Sequence, residues 1–194
     1  DSDFAEYSRE VLPEKFKNRV DIREGDIAEI TLEENHFDLV YGRLVFQHIH
    51  DVKGALENTF KSLKNGGTIL ITDIDEGLFG IVDPKVPELE YIYKQHIQEQ
   101  IIEGGDRFIG RKLWRLLKGV NFSSIDLDLI PINSDEVGIN AFVPQVDYEE
   151  MGTMIDNGLI KQEDIDNLKV AAEKFLESDY PFALLVLFFV TGTK

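Results

Sequence analysis

Phe182-Ala183-Leu184-Leu185-Val186-Leu187-Phe188-Phe189-Val190-Thr191 is apolar almost from end to end. At about half the length a membrane helix needs, it reads instead as a strand buried on both faces, inside a sheet. The apolar segment before it, Ile125 to Ile132, has a different pattern. It opens with Ile125, Leu127 and Leu129 alternating with Asp126 and Asp128, which leaves one face in water and suits a sheet edge. An edge strand followed in the chain by an interior strand implies that the later one inserts between the edge and the rest of the sheet. It should run antiparallel to its neighbours there.

The rest of the sheet is legible upstream. Phe37-Asp38-Leu39-Val40-Tyr41 and Thr68 to Thr72 read as buried strands. Between them Asp51 caps a helix carrying Val52, Ala55, Leu56, Phe60 and Leu63, which Asn65-Gly66-Gly67 should close. Strand, helix, strand at this spacing is a right-handed parallel crossover. Before it, Val20 to Arg23 reads as a short strand entering the turn Glu24-Gly25-Asp26. Ahead of that strand, Asp3 can cap a helix with Phe4, Tyr7, Val11 and Leu12 on its apolar face. Two further helices are expected around Val86 to Ile101 and Phe108 to Val120, separated by Gly104-Gly105. Others start at Asp147 and run through Ile165, Leu168, Ala172, Phe175 and Leu176.

Composition narrows the partners. The 194 residues hold 37 acidic and 20 basic side chains, a formal charge of −17, and no cysteine. So acidic a chain repels phosphate backbones and anionic membranes, so neither nucleic acid nor membrane is an expected partner. Without cysteine there is no disulfide framework, thiolate metal site or thiol nucleophile. A cytoplasmic protein is the expectation. The chain opens on Asp1 and a helix with no strand before it, which reads as a start inside a domain.

Phe37 to Tyr41, Val45-Phe46-Gln47-His48-Ile49, Asp51-Val52 and Leu63-Lys64-Asn65-Gly66-Gly67 together resemble the class I S-adenosylmethionine-dependent methyltransferases, of the small-molecule type. The resemblance is sharpest from Val20 to Gly77 and says little about residues 133–181. It implies an α/β, Rossmann-like sheet whose last strand is reversed, as the strand patterns independently suggest. The N-terminal part would be absent, and helical insertions at about 80–104 and 133–181 would act as lids around an acceptor pocket. The glycine-rich loop of that family, G-x-G-x-x-G, does not occur in this chain.

The same resemblance implies S-adenosylmethionine as cofactor and assigns residues to it. Asp1 falls where the family's ribose-binding acid lies, although Asp1 or Asp3 also suits a helix cap. Asp26 matches the acid that meets the adenine amino group, with Ile27 packed on the ring; after Gly25, Asp26 is also an ordinary turn residue. Arg43 matches a position facing the methionine end, or is a solvated arginine. Gln47, His48 and Asp73 sit where ligands of open α/β sheets bind, at the strand ends. His48 is equally a packing residue in such a place. Asp73, Asp75 and Glu76 are either a substrate- or cation-facing group or a solvated acidic loop. The His48-x-His50 pair beside Asp51 lacks a metal-ligand pattern, and no metal is expected.

The expected activity is methyl transfer to a small-molecule acceptor. The alternatives are a catalytically silent binding protein of the same fold and a nicotinamide-dependent Rossmann oxidoreductase. Methyl transfer from a sulfonium needs no covalent enzyme intermediate, so the absence of an evident nucleophile–base pair fits it. An unpaired apolar edge at Phe37 to Tyr41 would favour a homodimer, and the absence of the family's glycine loop implies poor binding of S-adenosylmethionine by these 194 residues.

Overall fold

The computed structural model describes residues 2–146, 148 and 151–194. Five strands form one sheet: β1 (Phe37–Arg43), β2 (Leu63–Ile74), β3 (Ile81–Asp83), β4 (Ser123–Asn133) and β5 (Phe182–Thr193). β1 and β2 are parallel, with Leu39 opposite Thr68 and Arg43 opposite Thr72. β5 runs antiparallel to β2, from Thr68↔Thr193 to Ile74↔Leu187. Its other edge takes β4, from Ser123↔Thr193 to Asn133↔Leu184. Leu184 also pairs with Ile81, so short β3 continues the β2 edge of β5. The reversed last strand therefore lies between β2 and β4, as its apolarity required: Ala183, Leu185, Val186, Phe188 and Val190 are all buried.

Helix α1 (Ser2–Val11) precedes the sheet, and α2 (Val52–Ser62) is the crossover from β1 to β2. Asp51 caps α2 by accepting from the Gly54 N–H at 2.8 Å. α3 (Pro87–Ile102) and α4 (Gly110–Gly119) follow β3; α5 (Ser134–Val137), α6 (Met151–Asp156) and α7 (Gln162–Leu176) fill the connection from β4 to β5. Among the described residues no helix is long and apolar enough to cross a membrane.

Two hydrophobic cores result. One packs α2 and α4 on the sheet through Leu56, Leu63, Ile69, Ile71, Leu113 and Leu117. The other joins α3, α6 and α7 through Leu89, Ile92, Met154, Ile165 and Leu168, away from the parallel strands.

Several local expectations fail for physical reasons. Residues 20–24 form no strand: among the described residues no strand pairs with them, and the outer edge of β1 is left open. The face of α1 is not covered: Tyr7 is 61% and Val11 54% exposed. α2 ends at Ser62, and Lys64 to Gly67 belong instead to a bulge at the start of β2, between Phe37↔Leu63 and Leu39↔Thr68. The bulge is held by Lys194, whose N–H donates to the Gly67 carbonyl at 3.0 Å and whose carbonyl accepts from the Gly66 N–H at 3.1 Å. Asp147, expected to start a helix, lies outside the described residues.

Candidate functional site

The carboxyl ends of β1 and β2 open onto a cavity of about 520 Å³. Its floor comes from the chain leaving β1. Leu44 adopts a positive φ of 54° while its N–H donates to the Thr72 carbonyl at 2.8 Å, and the backbone then turns through a short 3₁₀ segment, Phe46–His48. Asp73, the penultimate residue of β2, fixes that turn. Its Oδ2 accepts from the N–H groups of Phe46 at 2.8 Å and Gln47 at 3.3 Å, and its Oδ1 from Ile74 N–H at 2.9 Å. The carboxylate is wholly buried, and burial pushes its pKa up against the pull of those donors. Asp73 thus faces the backbone rather than the cavity. Its effect on a ligand runs through Gln47.

Gln47 is 5% exposed, lines the cavity, and its Oε1 has no hydrogen-bond partner. A buried acceptor left unpaired costs free energy, so this atom is available to a ligand donor. The Gln47 carbonyl accepts from Asp106 N–H at 2.7 Å. Gly105 passes so close that a Cβ there would lie 2.5 Å from the same carbonyl, which requires glycine. His48 Nδ1 meets Gln100 Nε2 at 3.1 Å, which ties the turn to α3. Arg43 and His48 are exposed beside Gln47 and line the same cavity.

α3 forms the facing wall with Tyr93, His96, Glu99, Gln100 and Glu103. Burial, helped by the positive charge of Arg107, brings the His96 pKa down to about 4. The imidazole is therefore neutral at physiological pH, and its 3.7 Å approach to Glu99 is not an ion pair there. Glu99 is buried and accepts from Thr153 Oγ1 at 2.6 Å. Tyr93, its hydroxyl held neutral by a pKa pushed up to about 12, packs edge-on against Phe79 with ring centroids 6.0 Å apart. Gly80, at φ +66°, makes room for it: a Cβ would stand 2.0 Å from the Tyr93 ring.

The acidic run after β2 is neither solvated nor free. Asp75 is fully buried in a bidentate pair with Arg111, and also accepts from Gly77 N–H at 3.0 Å. Glu76 Oε2 accepts from Arg107 Nε at 2.6 Å, while Glu76 Oε1 has no partner. Burial still raises the Glu76 pKa despite Arg107. Among the described residues no three His, Asp or Glu side chains are grouped to hold a metal.

Of the residues expected at the site, the structure brings together Arg43, Gln47 and His48, with Asp73 beneath them. Ile27 lies apart. It lines a separate cavity with Arg23, Glu33, His36 and Phe37, at the opposite end of β1, about 20 Å away for a seven-residue strand. Asp26 caps its own turn, accepting from Ala28 N–H at 2.8 Å, and Asn58 Nδ2 pins the same loop through the carbonyls of Ile27 and Ile30. Asp1 lies outside the described residues. The wall residues of α3, with Arg107 and Thr153, were not anticipated as site residues.

Residues 1–71 match the family described as a methyltransferase domain. An uncharacterized 37.1 kDa protein in a transposon of Streptomyces fradiae is 30% identical over 104 residues, 54% of this chain and 29% of its own length. Phosphoethanolamine N-methyltransferase 2 of Caenorhabditis elegans is 37% identical over 68 residues, 35% of this chain and 16% of its own. The chain thus spans less than a third of the curated relatives it matches. Among solved structures, a candidate methyltransferase of Bacillus halodurans superposes with a TM-score of 0.56 at 13% identity, covering 100% of this chain and 80% of that one. Residues 1–71 thus match a methyltransferase-domain family, and the sheet shares its Rossmann-like fold with the Bacillus halodurans structure.

Proposed function

We propose that the chain binds S-adenosylmethionine at the carboxyl ends of β1 and β2 and passes its methyl group to a small molecule held under α3. The observation that carries this is the buried, unpartnered Gln47 Oε1 at the floor of the 520 Å³ cavity. It offers an acceptor to the cofactor's ammonium, and exposed Arg43 offers a cation to its carboxylate. When bound, the sulfonium supplies a methyl carbon for in-line attack by the acceptor's lone pair, and the carbon–sulfur electron pair returns to sulfur. The chain's own part is to hold the two molecules aligned and exclude water, with Asp73 fixing the Gln47 turn and α3 roofing the cavity.

An amine acceptor agrees with the name of the Caenorhabditis elegans relative. In this reading the segments at 80–104 and 133–181 act as lids of a single domain. Asp26 and Ile27 join the adenine end only by movement of their loop. A second copy could add to the open edge of β1, where Leu39 and Tyr41 are 56% and 55% exposed. Calorimetric titration of S-adenosylmethionine into the chain, beside the Gln47→Ala variant, tests the proposal. Binding weakened about tenfold by the substitution is expected, as for one lost hydrogen bond to a charged group. Absence of binding, or indifference to Gln47, would overturn it.

A further inference from the structure

A second cavity of about 310 Å³ adjoins the first, and Phe79, Tyr93 and Leu185 line both. Its walls come from β3, α3, residues 139–146 with Tyr148, α7 and the start of β5. They are apolar almost throughout: Val86, Leu89, Phe142, Leu168, Phe175 and Ala183 face it, with Lys169 and Glu173 as its charged residues. Lys169 is placed over the Tyr148 ring, 5.2 Å from its centroid. A space of this size lined by hydrocarbon offers water few partners and forfeits contacts for every lining atom. The cleft is partly open to solvent, so an apolar group can enter it, and the apolar area it would bury there favours entry.

The two cavities differ sharply in chemistry. The first has the carboxylates of Glu99 and Glu103, two histidines, and Arg107 already committed to Glu76; its exposed cation is Arg43. The second has no cluster of cations that could hold a phosphate. A purely polar acceptor would satisfy only the first cavity and leave the second empty.

Resting on the methyltransferase reading of the site, we infer that the acceptor is amphipathic: an amine or hydroxyl nucleophile in the polar cavity, joined to an apolar body that fills the 310 Å³ chamber behind Phe79 and Tyr93. The specificity-determining residues are then on α7 and residues 139–146 rather than on β1 and β2. Ala172 matters most among them, because its small side chain leaves the chamber open on the α7 side.

The test uses N-phenyl-1-naphthylamine, whose fluorescence rises and shifts to the blue in an apolar site, on the whole chain and on Ala172→Trp and Leu176→Trp, with circular dichroism to confirm folding. Saturable probe binding that either folded tryptophan variant weakens about tenfold, with S-adenosylmethionine binding unchanged, is the expected result. Probe binding that ignores both substitutions would overturn the inference. In a labelled-methyl assay, n-octylamine is expected to be methylated in preference to ethanolamine and phosphoethanolamine, and the probe to compete with it. Methylation of phosphoethanolamine unaffected by the probe would refute the amphipathic acceptor while leaving the methyltransferase reading intact. Failure to bind S-adenosylmethionine with normal probe binding would overturn the methyltransferase reading and the acceptor with it, leaving only an apolar binding chamber.

Discussion

Replacing Asp73 with alanine removes the acceptor for three backbone N–H groups at once, those of Phe46, Gln47 and Ile74. The bonds from Phe46 and Ile74, at 2.8 and 2.9 Å, are well made, and the 3.3 Å contact from Gln47 is weaker. An orphaned buried donor costs about 1–3 kcal/mol. Against this, burial is the largest influence on the Asp73 pKa and raises it, so removing the carboxylate also relieves a desolvation penalty. The net expectation is a loss of about 2–4 kcal/mol for Asp73→Ala and about 1 kcal/mol for Asp73→Asn, which keeps one acceptor oxygen. Urea unfolding followed by circular dichroism reads this as a lower midpoint at unchanged slope.

Linkage adds a sign. A carboxyl whose folded pKa is raised binds its proton more tightly in the folded state, so the wild type gains on Asp73→Asn as pH falls through the folded pKa toward the ordinary carboxylate range. Cofactor affinity should fall in both variants, because the Gln47 turn loses its anchor. An alanine variant within about 0.5 kcal/mol of wild type would refute the role given to Asp73.

His96 gives the opposite pH dependence. Its folded pKa of about 4 lies below its ordinary 6.5, so the unfolded chain takes up the proton first, and stability present above about pH 6.5 is lost toward pH 4. Relative to His96→Gln, the wild type should lose about 1 kcal/mol between about pH 7 and pH 5, a figure reduced for the side chain's partial exposure; parallel pH–stability curves would count against it. Arg107→Ala leaves the Glu76 carboxylate buried without its cation and should cost about 3–5 kcal/mol near neutral pH, shrinking as acid protonates Glu76. Chemical denaturation should show most of that recovered in the double variant Arg107→Met, Glu76→Gln, and no recovery would mean that packing rather than charge is at stake.

The sheet was legible because its strands differ in pattern. Unbroken apolarity put Phe182 to Thr191 inside, and alternation put Ile125 to Leu129 at the edge. The Gln47–His48 turn was likewise readable from its place after a parallel strand. What escaped was set by tertiary context. Val20 to Arg23 has strand composition, yet a strand exists only when paired, and among the described residues nothing pairs with it. Asp75 and Glu76 look like any acidic loop until Arg107 and Arg111, some thirty residues later, are brought beside them. The cavity wall did leave a trace. On α3, His96, Glu99, Gln100 and Glu103 recur at spacings of three and four, a polar stripe on a helix read mainly for its apolar face. Ile101, near the end of the same helix, is 58% exposed where that stripe turns inward.

β5 is the hub of this sheet: β2, β3 and β4 all hydrogen-bond to it, and β4 pairs with no other strand. Each of those ladders joins residues far apart in the chain, as Thr68 and Thr193 are. Loop-closure entropy must therefore be met before any of them contributes. Until β5 docks, β1 and β2 can form a crossover unit with α2, but β4 has no strand to pair with among the described residues. Assembly should then be slow and late-converging, with an apolar ten-residue segment exposed while it waits. A partly folded chain of this kind is prone to pair with its own copies through that segment, which makes dilution and low temperature the natural conditions for refolding it.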